Sequence, residues 1–249
     1  MLRQCFLSPP APDVVMSFEG KELNLENEVA LPHGSIIELR CSEVGLFKFV
    51  GQPIIRCGNG QWNAPPPLCQ PTSVQKNFSA DAAPTITYNV VSGDAGITSS
   101  GQVVILPNSI IHFDCLWQRQ DGNPNWTWTA THRQYPSAWA ISAEERGWKY
   151  RLSIYYAKES DDGIFTCTTP KGHSNEVHVR VRSKPACEFP GEPAHGHVVP
   201  TKFHYDIGEM VTVECLHGFR VLGAPRLRCT STGHWSSPLA HCRPIIYQS

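Results

Sequence analysis

Long apolar runs are missing from this sequence. It contains no window of about 18 apolar residues, so no membrane-spanning helix is predicted. The segment from Met1 to Cys5 lacks the apolar stretch that a secretory signal peptide needs. No lipid-anchor motif closes the chain. We therefore predict no membrane insertion.

Neither sign of charge is in excess. The chain has 21 Lys and Arg against 22 Asp and Glu, a formal net charge of −1 with His neutral. Nucleic-acid binding needs a basic face, so this balance argues against a nucleic-acid partner. A local basic strip remains near the end of the chain: Lys202, Arg220, Arg226 and Arg228, with His195, His197, His204 and His217. Ordinary solvated charges are the favoured interpretation of this strip, and a glycosaminoglycan contact at the last module is the alternative.

The motifs of catalysis and cofactor binding are also absent. The sequence has no Gly-x-Ser-x-Gly elbow, no Gly-x-Gly-x-x-Gly and no Walker loop. The closest histidine pair, His195 and His197, lies in a predicted loop without a carboxylate-rich neighbour, so no metal site is predicted. We expect no catalytic residue, no cofactor and no metal, and therefore no enzyme.

Cysteine, by contrast, is abundant, and its arrangement indicates the class of protein. The ten cysteines form two outer groups of four and a central pair: Cys5, Cys41, Cys57 and Cys69; Cys115 and Cys167; Cys187, Cys215, Cys229 and Cys242. Cytosolic cysteines stay reduced, whereas small secreted domains need disulfides to supplement a small core. The chain is therefore predicted to be secreted and extracellular. Because secretion requires a leader, we expect this sequence to be a piece of a longer secreted protein.

The two outer cysteine groups are copies of one another. Before the second cysteine of each, the segments 37–41 and 211–215 alternate apolar and polar residues, as a half-buried strand does. Trp62 and Trp235 each precede the last cysteine of their group by seven residues. Coincidence at this many positions indicates an internal repeat. Each repeat spans roughly 60 residues, a size at which disulfides have to supplement the core.

This repeat resembles the complement control protein module, also called the sushi module. The cysteines alone leave three connectivities for each group of four. The resemblance implies that the first cysteine pairs with the third and the second with the fourth: Cys5–Cys57, Cys41–Cys69, Cys187–Cys229 and Cys215–Cys242. The first module departs from the pattern, because Leu31 stands where Tyr205 stands in the last. We also expect an enlarged loop around residues 8–26.

The central cysteine pair belongs to a different pattern. Cys115 is followed after thirteen residues by Trp128, and the run Asp161-Asp-Gly-Ile-Phe-Thr-Cys167 ends the block. This order of cysteine, tryptophan and cysteine resembles an immunoglobulin domain. The resemblance implies a disulfide between Cys115 and Cys167 that joins two sheets, with Trp128 packed on it. Trp126 is the weaker candidate for that packing role.

The predicted fold class is therefore all-β, with two small disulfide-stapled sushi modules flanking one immunoglobulin-like β-sandwich. The predicted boundaries are 1–70 for the first sushi module, 71–184 for the immunoglobulin-like domain and 185–244 for the second sushi module. Both linkers are short and contain proline, so the modules are expected to form a semi-rigid row.

Aromatic residues of the central block are the candidate partner-binding residues. Tyr135, Trp139 and Trp148 lie in an aromatic segment and have no core role in the pattern, and the same holds for Trp117. Exposed aromatic side chains commonly anchor protein interfaces. The alternative is that the middle strands pack these rings inward.

Two N-glycosylation sequons support secretion: Asn77-Phe-Ser79 and Asn125-Trp-Thr127. Asn77 is predicted to be the better acceptor, because it lies in a polar stretch beside a linker. Asn125 adjoins a predicted core strand.

The central block also resembles, most sharply from Asp114 to Thr169, the Hikaru genki family of secreted insect proteins, which combine sushi and immunoglobulin modules and are associated with synaptic clefts. The resemblance implies a non-enzymatic adhesion or scaffold protein that binds extracellular or synaptic membrane proteins and matrix, and that organises synapses in the cleft. Two alternatives stay open. Sushi modules also suit a complement-type regulator or immune recognition protein, and the chain could be the non-catalytic region of a modular secreted enzyme.

Overall fold

The computed structural model describes residues 2–75, 78–183, 186–230 and 233–245. The chain forms two compact units, Met1–Ser183 and Lys184–Ser249. The first unit holds the first module and the central domain, and the second holds the last module. Helix in the described residues is limited to two short 3₁₀ turns, Arg119–Asp121 and Glu159–Asp161. None of the described helices has the length and apolar character that crossing a bilayer requires.

The first module is built from short antiparallel strands around a small apolar core. Its strands are β1 (Cys5–Leu7), β2 (Val14–Phe18), β3 (Lys21–Leu23), β4 (Val29–Leu31), β5 (Ile36–Cys41), β6 (Phe47–Val50), β7 (Ile54–Gly58), β8 (Gln61–Trp62) and β9 (Leu68–Pro71). The main sheet has the order β3-β2-β5-β7-β8, and β1-β4 and β6-β9 are two-stranded ribbons. In β5, Ile37 and Leu39 are buried while the residues between them are not, as the alternating pattern predicted.

The predicted loop at residues 8–26 is wrong in its central part, which is a β-hairpin. Strands β2 and β3 pair with Phe18 opposite Lys21, so the turn has two residues. Glu19 and Gly20 have positive φ angles of 50° and 76°. Two positive φ angles are typical of the tight turn whose twist matches that of paired strands, and glycine adopts one of them without steric cost. The additional residues therefore widen the sheet.

The central domain is a sandwich of two sheets. Its strands are β10 (Thr85–Ser92), β11 (Ala95–Ile97), β12 (Val103–Ile105), β13 (Ile110–Leu116), β14 (Asn125–Trp128), β15 (Ser137–Trp139), β16 (Lys149–Ile154), β17 (Gly163–Thr168) and β18 (Ser174–Val181). The sheet orders are β10-β13-β16-β15 and β11-β12-β18-β17-β14, with β12 parallel to β18. Cys115 on β13 is bonded to Cys167 on β17, so the disulfide joins the two sheets. Strands β14 and β15 are sheet edges.

Trp126, and not Trp128, is the fully packed tryptophan of this core, which corrects the prediction. Trp126 lies directly opposite Cys167 on the paired strand and is 4% exposed. Its indole Nε1 donates to the Tyr150 carbonyl oxygen at 3.0 Å. Trp128 lies two pairs further along, opposite Phe165, and is only half-buried. Both rings share a face because they are two residues apart, and only the inner one reaches the disulfide.

The last module repeats the geometry of the first. Its strands are β19 (Ala186–Glu188), β20 (Gly196–Val199), β21 (His204–Asp206), β22 (Met210–Cys215), β23 (Phe219–Leu222), β24 (Arg226–Arg228) and β25 (His241–Pro244). The indole of Trp62 donates to the carbonyl of Phe6 at 2.8 Å, and that of Trp235 donates to the carbonyl of Glu188 at 2.9 Å. Each acceptor directly follows the first cysteine of its module, so the two tryptophans hold equivalent places.

Five disulfides account for all ten cysteines, and none is free. They join Cys5 to Cys57, Cys41 to Cys69, Cys115 to Cys167, Cys187 to Cys229, and Cys215 to Cys242. These are the pairs that the two resemblances imply. In both outer modules one bond therefore starts from the first strand, and the other links the core sheet to the terminal ribbon, β5 to β9 in the first module and β22 to β25 in the last.

The first module and the central domain interlock at their junction. The carbonyl oxygen of Gly45 accepts a hydrogen bond from the backbone N–H of Ile86 at 2.8 Å. The hydroxyl of Thr72 donates to the carbonyl of Leu46 at 2.6 Å. Val44 packs against the core of the central domain. The linker between these two domains is thus held by contacts on both sides, which explains why they form one compact unit.

Candidate functional site

The structure divides the predicted binding residues between the core and the surface. Tyr135 is 4% exposed, and its ring lies edge-on to Trp128 at 5.2 Å and to Phe165 at 5.1 Å between ring centroids. Trp117 is 1% exposed and contacts Phe78 edge-on. The prediction that Tyr135 is an exposed anchor is therefore wrong, and the same holds for Trp117. Both rings fill the central domain from within.

Tyr135 instead belongs to a buried ionic cluster around Asp161. Its hydroxyl donates to Asp161 Oδ1 at 2.6 Å, and the Arg133 guanidinium donates to both carboxylate oxygens at 2.8 and 2.6 Å. The backbone N–H of Lys158 donates to Oδ2 at 2.8 Å, and His132 Nε2 lies 3.0 Å from Oδ1. The carboxylate is fully buried and has a donor for each of its oxygens, which is the condition for keeping a buried charge.

The protonation state of this cluster follows from its contacts. Burial raises the pKa of Asp161. The hydrogen bonds from Arg133, Tyr135 and the Lys158 backbone together lower it by more than burial raises it, so the net shift is downward. Burial and the bond to Asp161 raise the pKa of Tyr135. The ionised Asp161 and the protonated Tyr135 therefore have a structural role within the sandwich.

Trp139 and Trp148 lie at the surface. Trp139 ends the edge strand β15 and is half-buried. Its indole Nε1 donates to Asn123 Oδ1 at 3.0 Å, its ring meets Tyr150 edge-on at 5.1 Å, and the Arg119 guanidinium lies 5.5 Å from its centroid. These contacts fix the orientation of the ring while one side stays open to solvent.

Trp148 is the more exposed ring, at 42%. Its indole Nε1 donates to the Glu144 carbonyl at 2.8 Å, and Lys149 Nζ lies 4.9 Å from its centroid. The backbone N–H of Trp117 donates to the carbonyl of Trp148 at 3.0 Å. Trp148 is thus presented by an ordered turn that is anchored to the core.

The same turn presents Ile141, which is 96% exposed. The turn closes through the bond from Ala140 N–H to the Lys149 carbonyl at 2.9 Å, directly after β15. We call Trp139, Ile141 and Trp148 the aromatic edge. Ile141 was not among the predicted binding residues, although a large apolar residue directly before the segment 142–147, which has no large apolar residue, was a visible clue.

The charges around the aromatic edge are fixed by ion pairs. Glu145 bonds Lys149 at 2.6 Å and lies 3.5 Å from Arg151. Arg151 also bonds the buried Asp114 at 2.7 Å. The hydrogen bond from Lys149 lowers the pKa of Glu145. Since these side chains hold one another, the tryptophans and Ile141 stand on a preorganised surface, which reduces the entropy lost on binding.

The described residues contain no metal-binding cluster. No group of three or more His, Cys, Asp or Glu side chains there could hold a metal ion. His195 stacks on the ring of Phe219 with centroids 4.4 Å apart, and His197 lies 3.4 Å from Glu214. Each of the two paired histidines therefore has its own neighbour.

The predicted basic strip of the last module is distributed over several elements. Lys202 is bonded to Glu209 at 2.6 Å. Arg226 and Arg228 are exposed on β24, which belongs to the sheet β20-β22-β24, whereas Arg220 is on β23 in a separate ribbon. The strip is therefore not a single row of side chains.

The two sequons differ in what the structure describes. Asn125 is exposed on the edge strand β14, on the face opposite the buried Trp126. An acceptor there is open to the glycosylation machinery. Asn77 lies outside the described residues.

Comparison with known families identifies the outer modules. Residues 12–69 and 187–242 match the Sushi repeat (SCR repeat). Cys5 precedes the first matched range, and its disulfide to Cys57 closes the same module. The outer modules are sushi modules, so the predicted all-β class, with two of them flanking a β-sandwich, is confirmed.

Several curated proteins are similar in sequence to most of this chain. Rat sushi, von Willebrand factor type A, EGF and pentraxin domain-containing protein 1 is 24% identical over 85% of this chain and 6% of its own length. Mouse P-selectin is 26% identical over 82% of this chain and 28% of its own length. Mouse C4b-binding protein is 24% identical over 94% of this chain and 49% of its own length. The chain therefore spans about half the length of these relatives or less.

Proposed function

We propose that this chain acts in a secreted, non-enzymatic adhesion or scaffold protein, and that it binds a protein partner through the aromatic edge of its central domain. The observation that carries the proposal is the 96% exposure of Ile141 on the same turn as Trp148, whose ring is 42% exposed. An isolated exposed isoleucine is ordinary. One that shares a turn with an exposed tryptophan and directly follows an edge strand that ends in another has the composition of an interface centre.

The energetics favour a protein as the ligand. Burying a large apolar side chain stabilises a complex by about 1.5–3 kcal/mol. Trp139 and Trp148 add indole N–H groups that already donate within the chain, so a partner can cover the rings without leaving these donors unpaired. The flanking cations lie against the rings and provide a polar rim. A surface of this type suits a protein contact better than a small molecule, because small-molecule sites are concave and none of Trp139, Ile141 and Trp148 lines a described pocket.

The proposed setting is the extracellular matrix, and more specifically the synaptic cleft. The disulfides and the sushi modules support the extracellular part. The cleft rests on the resemblance of the segment from Asp114 to Thr169 to the Hikaru genki family. The partners would then be synaptic membrane proteins or matrix components, and the protein would organise contacts between cells.

A pull-down with a matched control tests this proposal. The disulfide-intact chain serves as bait for detergent-solubilised nervous-tissue membranes, beside a variant with Ile141→Ser and Trp148→Ala. The control is Phe203→Ser in the last module, where the phenylalanine is 90% exposed. We expect synaptic or matrix proteins to be enriched by the parent chain and by the control and lost from the variant. Equal enrichment by all three baits would exclude the aromatic edge, and no synaptic protein on any bait would exclude the setting.

A second candidate is a complement-type regulator or immune recognition protein. The observation that favours it is the 94% coverage of this chain by the match to mouse C4b-binding protein. Under this hypothesis the sushi modules bind an opsonic complement fragment, and the aromatic edge is not required. Surface plasmon resonance with immobilised C4b checks it. Binding that survives the Ile141→Ser and Trp148→Ala changes would favour this candidate over the scaffold.

A further inference from the structure

Two arginines face each other on the terminal ribbon of the last module. Strands β23 and β25 pair so that Arg220 lies directly opposite Arg243, and both side chains are exposed. Directly opposite residues share a face, with Cβ atoms about 5 Å apart, and like charges in this position destabilise a sheet. His241 is on the same face as Arg243, because it lies two residues before it. The ribbon thus carries a concentrated positive charge at a cost to its own stability.

Among the described residues, no carboxylate forms an ion pair with either arginine. Neither guanidinium has an ion pair within the described part of the chain, whereas Lys202 in the same module is bonded to Glu209. The sequence itself explains the difference, since it contains no Asp or Glu from Leu216 to Ser249. The ribbon is therefore a basic surface that remains free for an external anion.

The internal repeat shows that the fold does not require two arginines here. In the first module the equivalent ribbon pairs β6 with β9, and Lys48 lies opposite Gln70. That pair has one cation and no repulsion, and the ribbon forms with the same antiparallel register. The arginine pair is therefore particular to the last module, which points to a binding role.

We propose that the ribbon of β23 and β25 binds a sulfated polysaccharide through Arg220 and Arg243. A guanidinium presents a planar fork of N–H donors that matches the oxygens of a sulfate group, and two neighbouring forks match sulfates that repeat along a chain. The exposed ribbon suits a polymer that lies across it. An acidic protein is less favoured, because its interface would need an apolar centre. The paired strands give this face Arg220, Leu222, His241 and Arg243, of which Leu222 alone is apolar.

This inference extends beyond the predicted basic strip and is independent of the aromatic edge. Arg243 was not among the residues of that strip, because the sequence does not show which strand lies opposite Arg220. The two sites are on different modules, so a failure of one leaves the other standing.

Heparin binding by the full disulfide-intact chain tests the proposal. The variant Arg220→Lys with Arg243→Gln transfers the pair of the first module to the last. The control, Arg226→Lys with Arg228→Gln, makes the same chemical change on β24. We expect the first variant to lose about tenfold in affinity with a shallower salt dependence, and the control to change little. Thermal unfolding should show the first variant to be at least as stable as the parent, because a repulsion has been removed.

Other outcomes would overturn the proposal. Equal losses in both variants would indicate diffuse charge attraction, and no binding of heparin at physiological salt would exclude the site. Hyaluronan, which carries carboxylates without sulfates, should bind much more weakly than heparin. Tighter binding of polyglutamate than of heparin would assign the ribbon to an acidic polypeptide. If the double variant unfolds, Arg243→Lys keeps the charge without the fork and should give an intermediate affinity.

Discussion

The side-chain amide of Asn175, in the central domain, donates a hydrogen bond to the backbone carbonyl of Gly45, in the first module, at 3.0 Å. The same amide donates to the carbonyl of Pro84 at 3.1 Å, and Asn175 is only 3% exposed. A buried amide that bonds two carbonyls from separate segments stabilises their relative placement. The Gly45 carbonyl also accepts the bond from the Ile86 backbone N–H at 2.8 Å, so two donors of the central domain meet it. This contact explains how two domains with separate cores behave as one unit.

Replacing Asn175 should therefore weaken the junction. Asn175→Ala removes both donated bonds, which takes the donor from the buried Pro84 carbonyl and leaves the Gly45 carbonyl with the Ile86 N–H alone, so the free energy of unfolding of the first unit should fall by about 1–3 kcal/mol. Urea denaturation measures the loss, and hydrogen exchange should show faster exchange at Ile86. The control Asn89→Ala removes an exposed amide on β10 and should have little effect. Equal stability of the two variants would contradict this account of the junction.

Gly45 should tolerate a methyl group less well than its counterpart in the last module. Gly45 and Gly218 have positive φ angles of +82° and +86°, so alanine is strained at either position. A Cβ on Gly45 would clash with the carbonyl oxygen of Ile86, whereas one on Gly218 meets no atom within 4 Å. Gly45→Ala should lower the free energy of unfolding by about 1–3 kcal/mol more than Gly218→Ala. A difference near zero in urea denaturation would show that the junction relaxes around the methyl.

The Asp161 cluster should make stability depend on acid. The folded-state pKa of Asp161 lies below its ordinary value of 3.8, so its ionised form stabilises the fold in full above that value. The contribution is lost as the pH falls through 3.8 toward the folded-state pKa. At pH 7, Asp161→Asn should lower the free energy of unfolding by about 2–3 kcal/mol. This is less than the loss of a fully buried ion pair would cost, because solvent partly screens the exposed side of Arg133. Urea denaturation at pH 7 and pH 3 should show this difference shrinking at the lower pH.

Tyr135→Phe separates a structural role from a binding role. The change removes only the hydroxyl that donates to Asp161, so we expect a loss of about 1–2 kcal/mol in the free energy of unfolding and unchanged partner binding. Trp148→Ala should do the reverse, because its ring is 42% exposed and lies outside the core. Thermal denaturation and the pull-down described above measure the two effects. If Tyr135→Phe loses partner binding while its stability is unchanged, Tyr135 is a binding residue after all.

Glycosylation should be visible at Asn125. Its side chain is exposed on an edge strand, so the chain secreted from animal cells should carry a glycan there that peptide N-glycosidase F removes. Asn125→Gln should lower the apparent mass by one glycan, and Asn77→Gln serves as the parallel test of the other sequon. An unchanged mass in Asn125→Gln would show that the sequon is not used.

Local sequence patterns were sufficient to predict the modular architecture. The cysteine groups, the alternating segments and the tryptophan spacing predict two copies of one small β module, because disulfide frameworks and strand periodicity leave their marks within short stretches of sequence. The same logic predicted strands at 37–41 and 211–215, which occur as Ile36–Cys41 and Met210–Cys215. The hairpin around Gly20 was missed because a long gap between cysteines does not show whether the added residues pair.

Which aromatic residues of the central domain are exposed could be decided only from the tertiary structure. Between β14 and β16 the chain has only the three-residue strand β15, so no periodicity shows that Tyr135 turns inward to Asp161 while Trp139 and Trp148 stay at the surface. Which tryptophan packs on the disulfide was decided by pairing register, which places Trp126 opposite Cys167. The sequence by itself determined the modules and their β character, and it predicts an extracellular setting. Only the tertiary structure set Asn175 against Gly45 and Arg220 against Arg243, because contacts between distant segments depend on which strands become neighbours.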